Sequence, residues 1–144
     1  MYSILKTVHS YWAFFVLIIL FIAIFNALIK RILRKPFNST DLRISLFALI
    51  FTHIQLLIGL ILYFISPWFG QWSSLGMGVM KNNESRLFLV EHPVTNILAI
   101  LFITIGWSLQ KKQSESSKKF LRITLFYGFG YILLLSRIPW SIWI

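Results

Sequence analysis

Four long apolar runs, interrupted only by isolated polar residues, dominate the pattern along the chain. They cover residues 11–29, 44–66, 87–109 and 120–140. A hydrocarbon core of about 30 Å is crossed by about 20 helical residues, and each run is long enough. Unpaired backbone groups are costly in lipid, so the pattern predicts an α-helix over each run. Their Phe, Ile and Leu content would also suit buried strands, but strands are much shorter. The first run is longer than the apolar part of a signal peptide. No small-residue cleavage site follows it, and its basic cluster lies behind it, so it reads as a retained span. Heptads, long repeats and low-complexity segments are absent. The expected fold is a single domain over 1–144, an all-α integral membrane protein built as a four-transmembrane-helix bundle.

Composition narrows the class further. Of 144 residues, 58% are hydrophobic and 12% charged, and the mean hydropathy is +0.77. Soluble globular domains carry roughly twice that share of charge, so a soluble domain, a disordered chain and a collagen-like fibre are all excluded. The lack of cysteine removes disulfides, thiolate metal sites and cysteine nucleophiles. Fourteen Lys/Arg against four Asp/Glu give a net charge of +10. Ten of the fourteen fall in two short segments. Residues 30–43 hold Lys30, Arg31, Arg34, Lys35 and Arg43, and residues 111–122 hold Lys111, Lys112, Lys118, Lys119 and Arg122. Short Lys/Arg-rich loops stay on the cytoplasmic side, which predicts N-out/C-out topology with the middle loop outside. Placed beside spans, these charges suit anionic lipid headgroups in the bilayer and not nucleic acid. The middle loop carries Trp68, Phe69 and Trp72 as interfacial aromatics, and Gly70, Gly76 and Gly78 make it read as a pliable lid or connector.

The polar minority inside the spans is where chemistry is expected, because ionisable groups there are expensive. The candidates are His9, His53, Glu91, His92 and Arg137. At about 100° per residue, Ser45, Thr52, Gly59 and Tyr63 share a stripe flanked by Gln55 and His53. Glu91, His92, Thr95, Asn96, Ala99 and Gly106 share another, and His9, Ala13, Leu20, Ala23 and Ala27 a third. Small and polar stripes are what helices turn toward one another in a membrane, so the three histidine faces are expected to meet inside the bundle. Height separates them. At about 1.5 Å per residue from the nearest basic anchor, His9 stands about 31 Å up, His92 about 28 Å, Arg137 about 22 Å and His53 about 15 Å. His9, Glu91, His92 and Arg137 therefore form one layer, and His53 sits alone near the midplane.

Two imidazoles from different helices are a way to hold haem iron, with small residues making room for the macrocycle. By height, His9 and His92 are the best axial pair. Arg137 could then neutralise a propionate, and Glu91 could orient an imidazole through its ring N–H. Two other chemistries use the same residues: a divalent metal on His9, Glu91 and His92, or proton transfer along Glu91 and His92 toward His53. The plain alternatives are an interfacial His9, a His53 hydrogen-bonded across helices, a Glu91-His92-Pro93 helix start and a snorkelling Arg137. P-loop, HExxH, GxSxG and Rossmann fingerprints are all missing.

His9-Ser10, LFALIFTHIQLLIGLILYFISP in the second span, RLFLVEHP in the third and RIPW after the fourth resemble a family of small four-helix bacterial inner-membrane proteins described as cytochrome b-like. The resemblance covers nearly the whole chain. It implies a bacterial inner (cytoplasmic) membrane, haem b and electron transfer with a quinone pool or a membrane redox partner, and it nominates His9, His53 and His92 as ligands. The alternatives are a non-catalytic accessory or assembly subunit of a larger membrane complex, and a proton-coupled small transporter acting as an oligomer.

Overall fold

The computed structural model describes residues 1–143. Four long helices carry the fold: α1 (Tyr2–Ile32), α2 (Ser39–Ile65), α5 (His92–Lys111) and α6 (Ser116–Ser136). Three short helical pieces, α3 (Gln71–Leu75), α4 (Asn83–Arg86) and α7 (Trp140–Trp143), lie between or after them. The third span runs unbroken from α4 into α5, over Asn83–Lys111, so four helices are long and apolar enough to cross a membrane. Phe15, Ile22, Leu57, Leu101 and Ile132 point outward from them. Large apolar surfaces of this kind suit acyl chains, not water. The chain is a multi-pass, all-α membrane bundle.

Helix α1 starts well before residue 11, because Tyr2 to Ser10 can complete backbone hydrogen bonds whatever their hydropathy. This places His9 inside a helix and not at its edge. Residues 67–86 are not an irregular loop: 3-10 turns at Pro67–Gly70 and Gly76–Lys81 alternate with α3 and α4. Only Gly76 needs its freedom, at φ 53°. The connection from α1 to α2 is set by two caps. Arg34 closes α1 at φ 56° while the Lys35 N–H bonds the Lys30 carbonyl at 2.9 Å. Asn38 and Asp41 then form a capping box that starts α2. Asp41 is buried and also accepts from Lys30 Nζ at 2.7 Å and Asn26 Nδ2 at 2.8 Å.

The four helices pack in a ring in the order α1, α2, α5, α6, each antiparallel to its neighbours. The half nearer the basic loops is solid, with Leu20, Ala23, Ala27, Ala48, Ile103, Phe120, Ile123 and Tyr127 in the core. Tyr127 crosses the ring to donate to the Ser45 carbonyl at 2.9 Å. Glycines set the α5–α6 spacing. A Cβ at Gly130 would lie 2.8 Å from the Ala99 carbonyl oxygen, and one at Gly106 would lie 2.6 Å from Phe126 Cβ. Small residues drive such close approach in membranes. The other half of the bundle is hollow.

Candidate functional site

The hollow is a cavity of about 510 Å³, within the roughly 300–1,000 Å³ range of small-molecule sites. Its wall is mostly apolar, and its polar members are few: Lys6, His9, Ser10, Thr52, Gln55, Tyr63, His92 and Asn96 are the main ones. His9 on α1 and His92 on α5 meet across it, their ring centroids 6.3 Å apart and their planes at 77°.

Each ring is positioned by neighbours on other elements. Gln55 Nε2 of α2 donates to the His9 carbonyl at 2.9 Å, fixing the backbone beneath that ring. Gly59 makes room for it, since a Cβ there would stand 3.2 Å from His9 Cε1. The His92 Nδ1 lies 2.8 Å from the Arg137 carbonyl oxygen. A carbonyl only accepts, so Nδ1 carries the proton and Nε2 keeps the lone pair. Asn96 Nδ2 lies 3.1 Å from that Nε2. His9 Nδ1, Gln55 Oε1 and Asn96 Oδ1 are buried without a hydrogen-bond partner, and all three residues line the cavity. Orphaned polar atoms around one hollow point to an occupant with polar or coordinating groups.

The local winding before His92 has a cause in the sequence. Pro93 has no N–H, so the carbonyl four residues earlier, on Leu89, loses its α-helical donor. The chain passes through a π-helical turn over Leu87–Glu91, in which the His92 N–H bonds the Leu87 carbonyl. Tyr63 of α2 supplies the missing donor to Leu89, its hydroxyl 3.0 Å from that oxygen. Trp72 Nε1 in turn donates to the Tyr63 hydroxyl at 2.9 Å.

The remaining sequence candidates lie elsewhere. The Glu91 carboxylate stands 3.1 Å from Arg86 Nε and 3.9 Å from Arg137 Nε. It does not touch the His92 ring; the Arg137 carbonyl takes the orienting role expected of it. Adjacent helical residues point about 100° apart, so Glu91 lies off the face that His92 and Asn96 share, and the π turn brings it over Arg86 five residues earlier. The Arg137 guanidinium is half-exposed and beside Glu91, while Lys6, one turn before His9, is the basic residue in the cavity wall. The i, i+3 spacing of Lys6 and His9 was the available signal for it. His53 is outside the cavity, with Nδ1 donating to the Leu49 carbonyl at 2.8 Å and Nε2 3.4 Å from Thr104 Oγ1. Two of the three histidines therefore come together and the third does not. Among the described residues no three His, Asp or Glu side chains converge, so the set His9, Glu91 and His92 is not formed as a three-donor metal site. Comparison of the chain with protein-family models, with characterised proteins and with solved structures finds no match.

Proposed function

We propose that the cavity binds a b-type haem between His9 and His92 and that the protein carries electrons within a bacterial inner membrane, with its basic end in the cytoplasm. The observation that carries this reading is the facing pair of imidazoles, 6.3 Å between centroids, with the His92 proton committed to the Arg137 carbonyl. His9 and His92 reach the cavity from different helices and would be the residues that hold the group. The donor set fits as well. One imidazole has its Nδ1 bonded to a carbonyl and the other has a buried Nδ1 without a partner, a nitrogen donor set that suits haem iron.

When bound, haem would supply reversible one-electron transfer. The chain's own residues do the rest. His92 is held in one tautomer by Arg137 and at one height by the Tyr63-supported turn. His9 is held by Gln55 below and by the space at Gly59 beside it. Lys6 places a positive charge in the wall, suited to a propionate. The mostly apolar lining lowers the polarity around the group and would tune its redox potential. A quinol or a membrane-bound redox protein is the partner this location suits.

Purification in detergent after expression with added haem tests the proposal. The expected result is a Soret band with about one haem per chain and a sharp α-band on dithionite reduction. A colourless preparation of folded protein contradicts it.

A further inference from the structure

At the opposite end of the bundle, a second pocket of about 320 Å³ is lined by Arg31, Arg34, Lys35, Ser116 and Ser117. Three cationic side chains from the end of α1 thus surround one hollow, and among the described residues none of them pairs with a carboxylate. The basic surface elsewhere is partly compensated: Lys30 is taken by Asp41 and Lys118 by Glu115. Arg31 Nε is buried without any hydrogen-bond partner. A guanidinium N–H shut away from water in this manner is costly unless an acceptor enters from outside the chain.

The start of helix α6 borders the pocket through Ser116 and Ser117. Helix α6, 21 residues long, begins at Ser116 with no side-chain cap, so its first backbone N–H groups are not bonded by the protein's own side chains. The Ser116 hydroxyl oxygen accepts from the Phe37 N–H at 2.8 Å, which ties the α1–α2 connection to the start of α6. Two guanidinium groups, an ammonium and two serines lining one pocket without a carboxylate are complementary to a tetrahedral oxyanion. The position of the pocket, at the basic ends of spans, is where a bilayer presents phosphates.

We infer that Arg31, Arg34 and Lys35, together with the start of α6, form a stoichiometric binding site for a phosphate group, borne by an anionic phospholipid or free in solution. This goes beyond diffuse attraction of a basic surface to a membrane: it assigns one site and leaves Lys111 and Lys112, on the same side of the bundle, outside it. It is independent of what the histidine cavity holds.

Native mass spectrometry of the full chain released from detergent tests it, with phosphatidylglycerol, phosphatidylcholine and inorganic phosphate as separate probes. The expected result is one retained phosphatidylglycerol per chain and no retained phosphatidylcholine. Binding should fall about tenfold in Arg31→Gln/Arg34→Gln and be unchanged in Lys111→Gln/Lys112→Gln. Should the Arg31 variant fail to fold, Arg34→Gln/Lys35→Gln alters only side chains at the pocket rim and serves in its place. Inorganic phosphate binding as strongly as the lipid, with the same variant pattern, identifies free phosphate as the ligand source; weak phosphate binding identifies the lipid. Equal loss in both double variants, or no bound anion at all, overturns the site.

Discussion

The Tyr63 hydroxyl donates to the Leu89 carbonyl oxygen at 3.0 Å, the acceptor that Pro93 leaves without an α-helical donor. One side chain of α2 thus completes a hydrogen bond that the third span cannot make for itself, one turn from His92. Tyr63→Phe should keep the ring packing and strand that carbonyl. The expected cost is about 1 kcal/mol, since interhelical hydrogen bonds in membranes are individually modest. Thermal unfolding in detergent measures it. Trp72→Phe, which removes a donor to the Tyr63 hydroxyl but leaves the Tyr63–Leu89 bond in place, should leave the Leu89 carbonyl satisfied. An unchanged melting temperature in Tyr63→Phe would show that the carbonyl finds another donor.

The glycines of α6 should separate sharply. Gly130→Ala drives a methyl into the Ala99 backbone carbonyl, which cannot swing aside as a side chain would, and should cost about 1–3 kcal/mol. Gly128 has nothing within 4 Å of an added Cβ, so Gly128→Ala should be neutral or stabilise by up to about 1 kcal/mol through helix propensity. Denaturation of the two variants side by side checks the spacing of α5 and α6.

Asp41 gathers Lys30, Asn26 and the Asn38 N–H around one buried carboxylate. Asp41→Asn removes the charge and leaves Lys30 without its partner, at an expected cost of about 2–3 kcal/mol. Raised salt should not mimic the substitution, because the carboxylate is shielded from solvent. A loss of stability no larger than that of an exposed ion pair would contradict the buried arrangement.

Much of this architecture is legible in the residue pattern, for identifiable reasons. Hydropathy marks where helices must cross lipid, so the spans come out close to the observed helices. It is silent about polar helical extensions, hence the early start of α1. Counting residues from the basic anchors puts His9 and His92 at similar heights and His53 well below, and the structure brings the first two rings together. Helical phase fails at Glu91. A uniform step of about 100° cannot foresee the π turn, whose wider winding brings Glu91 over Arg86 five residues earlier. Lys6 is not marked by hydropathy because it lies outside the apolar run, although its spacing from His9 places it on the same face.

If haem occupies the cavity, charge in its wall tunes its potential. Lys6→Gln removes a positive charge facing the site and should lower the midpoint potential, since a nearby cation favours the reduced form. Arg137→Gln should shift it less, because that guanidinium lies against Glu91 outside the cavity. Redox titration of the two variants distinguishes them, and an equal shift would contradict the placement of Lys6.

The most direct test is the reduced-minus-oxidised spectrum of His9→Ala, His92→Ala and His53→Ala, each purified and checked for folding. The site described here predicts that both His9→Ala and His92→Ala lose the low-spin α-band while His53→Ala retains it. Retention of the band in His92→Ala together with its loss in His53→Ala would contradict the pairing of His9 with His92.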